Sequence, residues 1–277
     1  MSIFDGYARR ARRAQGTTRA EMAISERDLA QLTRELDELH ESTFPQVRRT
    51  LDELAAHLGA VVREPSTRRS FFLGAAGAVA LGAATACSGG PSGSPASSSA
   101  AAPPPPPETY PGDLKMVAVA TALENLAVSG YEGVLKKAGA GELGAVPPAV
   151  ATFVQTAMKQ HSDHAQAWNA VLSRSGKPAI SDAPLSITKD QMAMLAAAKT
   201  VPDVAKFALN LENVAAQTYT FATANVSDAS AIMTTATIQP VETMHAAILN
   251  FLIGEFPIPD TFIGTGAALK PDSLTVR

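Results

Sequence analysis

The chain has 277 residues, 46% of them hydrophobic but only 5% aromatic, with one cysteine and a formal net charge of -3. That length and apolar content suffice for at least one well-buried core, and the excess of alanine over aromatic residues favours helix over sheet. One cysteine excludes an intramolecular disulfide, and the charge is uneven: 12 Arg and 11 acidic residues up to Cys87, then 11 basic against 15 acidic residues, an acidic balance that excludes a nucleic-acid partner gripped through its phosphates.

Residues 1–64 form a charged, helical N-terminal extension. Thr18 and Glu21 have capping-box spacing, and Leu29, Leu32, Leu36 and Leu39 recur as the seam of a short helix. Phe44-Pro45 is expected to interrupt it. Val47, Leu51, Leu54 and Leu58 continue the pattern in a second helix, giving a hairpin or weak coiled coil. No chemistry is visible here, and His40 and His57 are expected on charged, solvated faces.

Residues 65–87 read differently. Arg68-Arg69-Ser-Phe71-Phe72-Leu73 opens an uncharged run, and the 16 apolar residues from Phe71 to Ala86 are too few to span a membrane but suit a signal segment. The arginine pair resembles a twin-arginine export signal, and Ala84-Thr-Ala86-Cys87 resembles a lipoprotein processing site with Ala84 where leucine is usual. These resemblances imply partnership with the twin-arginine machinery and a lipid anchor at Cys87, holding residues 87–277 on the extracytoplasmic face of the cell membrane. The alternative is a buried alanine-rich helix with one core cysteine. A leader this long implies either a true start downstream, near Met22, or a role for the extension before export. Residues 88–110 are a Ser/Gly/Pro linker whose five consecutive prolines form an extended spacer.

Residues 111–256 carry four long helical patterns. The first runs from about Asp113, as N-cap, to Lys137; the second starts at Pro147-Pro148 and stops at Ser175-Gly176. A long connection with a short helix near Lys189–Ala198 follows. The third pattern begins at Pro202 and passes Glu212 and Tyr219; the fourth, opened by Ser227 or Asp228, ends at Gly254 and contains Pro240, which is expected to kink or bulge it. Residues 257–277 read as a coil tail.

Two of these patterns repeat. Leu-Glu124-Asn-Leu-Ala127 with Tyr131 is echoed by Leu-Glu212-Asn-Val-Ala215 with Tyr219, 88 residues on; more loosely, His164-Ala with Asn169 is echoed by His245-Ala with Asn250. Glu242 and His245, like His161 and His164, stand three residues apart and so leave one helix face a turn apart. The unit thus reads Glu, then a His-bearing helix, twice over, and one carboxylate and one imidazole a turn apart can grip a single cation. Without a cation, three carboxylates crowded in a narrow core would be costly, and at least one would have to be protonated. Trp168, Met158, Met233 and Met244 are expected to pack, and Asn125, Asn169, Asn213 and Asn250 to tie helices together.

Two antiparallel hairpins joined by a long crossover, with the ligands in this order, resemble the ferritin-like four-helix bundle. The resemblance implies an all-α fold over roughly residues 112–255 and a metal site made of Glu124, His161, His164, Glu212, Glu242 and His245, with Tyr131 and Tyr219 adjoining. It implies one or more transition-metal ions, iron foremost, with manganese or zinc as alternatives. His161 departs from the family's pattern, in which a carboxylate bridges two cations. Members of the superfamily include iron-oxidising, peroxide-consuming and oxygen-activating proteins as well as desiccation-related ones, so a redox role is one expectation. The other is a metal-free envelope module for protein interaction or stress protection.

Overall fold

The helix ends follow turn and capping residues in the sequence, with side-chain caps at the starts of two of the long helices. The structure, a computed structural model, describes residues 24–63, 109–260 and 263–276. It is all-helical: α1 (Glu26–Arg63), α2 (Asp113–Gly139), α3 (Pro148–Arg174), α4 (Thr188–Ala197), α5 (Val201–Asn225) and α6 (Ala229–Ile253), with a short 3-10 turn at Pro271–Ser273. Pro148 opens α3 after Pro147 as N-cap, and Gly176 follows its end with φ 70°. Thr200 and Asp203 close a capping box on α5, Asp228 caps α6 through Ser230 and Ala231, and Gly254 ends α6 in the left-handed region at φ 86°.

Asp113 is not the N-cap of α2; Gly112 is. The Asp113 carboxylate instead accepts from the backbone N–H groups of Ser227 and Asp228, each at 2.8 Å, and so ties the start of α2 to the start of α6. Pro240 lies inside α6, which stays α-helical through it with no bulge.

The hairpins α2–α3 and α5–α6 pack against each other through α2 and α5. These two helices approach closely at Gly130, where an added Cβ would stand 2.9 Å from the Phe207 ring, so the absence of a side chain permits the crossing. Asn125 and Asn169 both donate to the carbonyl of Ile180 and pin the crossover, while Asn250 donates to Pro257 and pins the tail. The tail is more than coil: Leu269 and Leu274 are buried, and Leu274 pairs with Leu185 in an isolated antiparallel bridge. Trp168 is buried as expected, whereas Met233 is exposed.

The N-terminal extension departs most from expectation. It is one continuous helix through Pro45, and it lies along α3 and α6. Proline inside a helix costs about 3 kcal/mol. That cost is set against a buried stripe, Leu29, Thr33, Leu36, His40, Phe44, Leu51, Leu54 and Ala55, and each fully buried leucine contributes about 1.5–3 kcal/mol. Leu39, read as part of the seam, is 54% exposed, and His40 takes the inward place instead. Around the edge Lys159 pairs with Glu41, Arg174 with Asp52, and His57 with Asp228 at 3.1 Å. Thr18, Glu21, Arg68, Arg69 and Cys87 lie outside the described residues.

Candidate metal centre

All six side chains singled out as ligands converge in the middle of the bundle. Glu124 comes from α2, His161 and His164 from α3, Glu212 from α5, and Glu242 and His245 from α6; none is more than 1% exposed. They fall into two overlapping groups of four, Glu124–His161–His164–Glu242 and His161–Glu212–Glu242–His245, each with its ligand atoms within 4.8 Å of one another. His161 and Glu242 belong to both.

The sequence repeat becomes a reciprocal exchange. Tyr131, on the helix of Glu124, donates its hydroxyl to Glu212 Oε1; Tyr219, on the helix of Glu212, donates to Glu124 Oε1. Trp168 Nε1 donates to the Tyr219 hydroxyl at 2.9 Å and fixes it. Burial first, and then the neighbouring carboxylates, raise both phenols well above their ordinary range, which keeps them neutral donors. His161 lies between the hairpins, with Nδ1 2.7 Å from Glu124 Oε2 and Nε2 3.2 Å from Glu212 Oε1.

Toward the centre, partners run out. Nδ1 of His164 and of His245, Oε2 of Glu212 and both oxygens of Glu242 are buried without a hydrogen bond. Orphaned buried polar atoms are rare in folded proteins because each costs about 1–3 kcal/mol. Here five of them, all metal-ligand types, sit around one region.

Their separations fit a cation. His164 Nδ1 is 3.4 Å from Glu242 Oε1 and 3.5 Å from Glu124 Oε1, while His245 Nδ1 is 3.4 Å from Glu212 Oε2 and 3.6 Å from Glu242 Oε2. Those distances are long for hydrogen bonds, but two ligands each ~2.1 Å from a tetrahedral ion lie ~3.4 Å apart.

In the metal-free protein, protons take the balancing role. Burial is the largest influence on each histidine and opposes its charge, but the carboxylates overcome it. His164 is pushed up to about 9 by Glu124 and Glu242, and His161 and His245 are also raised. Conversely, burial opposes the charge of Glu124, and His164 and His161 overcome it and hold the carboxyl down at about 2; Glu212 is likewise depressed by His161 and His245. The histidine protons thus offset the charge of Glu124 and Glu212, and a cation would displace those protons.

A third acidic group, His40 with Glu41 and Asp163, already contains a positive charge, because Lys159 Nζ bonds both carboxylates.

The model of the ferritin-like domain family matches residues 109–255, more than half of the chain. The chain belongs to the ferritin-like domain family. Neither a curated protein nor a solved structure matched it. The matched span runs from just before α2 of this ferritin-like protein to just past α6, and it contains all six candidate ligands.

Sequence reasoning missed Gln160, fully buried, whose Oε1 lies 2.9 Å from His245 Nε2, and it misplaced His40, whose Nε2 is 3.2 Å from His164 Nε2. His40 had a signal: it stands four residues after Leu36 and four before Phe44, on the buried stripe. Gln160 had none.

Proposed function

We propose that this ferritin-like protein binds transition-metal ions in the bundle core, through Glu124, His161, His164, Glu212, Glu242 and His245. The observation that carries the reading is the set of five ligand atoms that lack hydrogen bonds while the two imidazole nitrogens stand 3.4–3.6 Å from the carboxylate oxygens. Both oxygens of Glu242 lack a hydrogen bond, and the nearest imidazole nitrogens, His164 Nδ1 at 3.4 Å and His245 Nδ1 at 3.6 Å, stand farther off than a well-formed bond allows. Iron or manganese held there would supply redox chemistry, whereas zinc would not.

The protein's own residues supply the rest. Tyr131 engages Glu212 Oε1 and leaves Oε2 without a hydrogen bond, whereas Tyr219 engages Glu124 Oε1 and His161 Nδ1 faces Glu124 Oε2 at 2.7 Å. His161 faces the carboxylate of each hairpin with a different nitrogen; as a neutral ring it offers a lone pair to one side and an N–H to the other. Crystals of the full-length protein grown with iron or manganese test the assignment. Anomalous scattering should place a peak among Glu242, His164 and His245, and a peak only at surface carboxylates would refute it.

We further propose that the protein is exported by the twin-arginine route and tethered through Cys87 to the outer face of the cell membrane. This reading is supported by the Arg68-Arg69 pair, the short apolar run after it and the Ser/Gly/Pro spacer. Replacing both arginines by lysine should leave the precursor inside the cell; undiminished export would count against the signal.

A further inference from the structure

His164 and His245 each turn Nδ1 toward the carboxylates and Nε2 outward; His40 of α1 meets the first outward nitrogen, and Gln160 of α3, itself bonded to Asp37 of α1, meets the second. His164 Nε2 faces His40 Nε2 at 3.2 Å. His245 Nε2 lies 2.9 Å from Gln160 Oε1, and Gln160 Nε2 donates to Asp37 Oδ1 at 3.3 Å. Asp37 and His40 are one turn apart on α1.

The chemistry sets the direction of each bond. A carboxylate only accepts, so Asp37 holds the amide nitrogen of Gln160 and turns its carbonyl oxygen to His245. That oxygen also only accepts, so His245 donates from Nε2, and a neutral ring then has its lone pair on Nδ1, toward the centre. For His164, a ring that offers its Nδ1 lone pair to a cation carries its proton on Nε2 and donates it to His40. Packing holds His40 in place to accept that proton's hydrogen bond. The ring is buried and stacks on Phe44 with centroids 4.7 Å apart, and Phe44 lies 5.6 Å from the His164 ring.

We propose that α1 is the outer wall of the metal centre, His40 directly and Asp37 through Gln160 acting as positioning residues that fix the tautomer and tilt of His164 and His245. This rests on the metal reading of the six inner side chains. It assigns a role in cation retention to a segment outside the family match.

The test uses the full chain and cobalt(II), read by chelator competition and by the visible cobalt absorption. Removing such an outer partner typically weakens a metal about 10–100-fold. His40→Phe, which keeps an aromatic ring against Phe44 but has no acceptor, should weaken cobalt by that factor and shift its absorption. His40→Gln, which restores an acceptor, should recover most of the affinity. Wild-type affinity and spectrum in His40→Phe would overturn the proposal, as would equal losses in both variants, which would mean that His40 only packs. A wild-type protein that takes up no cobalt would overturn the metal reading instead. In that case ring-nitrogen NMR of the metal-free chain still decides the place of α1: His40→Phe must move the His164 signals, and unmoved signals would refute the contact.

Discussion

Glu242→Ala is expected to reduce bound metal to less than ~10% of the wild-type content when the full-length protein is loaded with iron, manganese or zinc and its metal is measured by elemental analysis. Glu242 is fully buried, belongs to both groups of four, and has no hydrogen bond to either oxygen. Its loss removes a ligand atom from both groups of four at once. Glu124 cannot replace it, because Tyr219 engages one of its oxygens and His161 Nδ1 faces the other at 2.7 Å. Glu38→Ala, at an exposed position of α1, should leave the content unchanged. Stoichiometric metal in Glu242→Ala, with helicity preserved by circular dichroism, would show that the site has been misplaced.

The metal-free protein should lose stability as the pH rises from about 6.5 to about 9, and the metal-loaded protein should not. His164 holds its proton up to about 9 in the folded chain, against an ordinary value of 6.5. The folded state therefore binds more protons than the unfolded state between those values, and its stability falls with pH across that window. The contribution is fully present below about 6.5 and is gone once the pH has risen through about 9. For His164 alone it amounts to roughly 3 kcal/mol, and the raised values of His161 and His245 act in the same direction. With a cation on the ring nitrogens no such proton exists to be lost. Urea unfolding of both forms at pH 6.5 and pH 9 measures the difference; a metal-free protein equally stable at both would contradict the proton-balanced core.

The bundle was legible because its chemistry is duplicated. Glu124 with Tyr131 and Glu212 with Tyr219 share a spacing that keeps both groups on one face, so the repeat announced two equivalent hairpins before any contact was known. It did not reveal that each tyrosine serves the other hairpin's glutamate, since only the antiparallel packing of α2 and α5 brings them together. The extension misled for a physical reason. Pro45 and the flanking charges read locally as a break and a solvated surface, whereas burial of Leu29, Leu36, Leu51 and Leu54 against α3 and α6 overrides both. Choosing Leu39 for the seam in place of His40 then hid the contact with His164. Under the proposed processing before Cys87, α1 leaves the covalent chain of the bundle, and the His40 contact belongs to the precursor.

Metal content of the full-length wild-type protein, purified after expression with iron, manganese or zinc supplied, bears most directly on the central claim. The convergent, unpartnered ligand atoms of Glu212, Glu242, His164 and His245 predict about one or more equivalents per chain, released on lowering the pH as protons return to the histidines. Less than ~0.1 equivalent under every one of these conditions would contradict it.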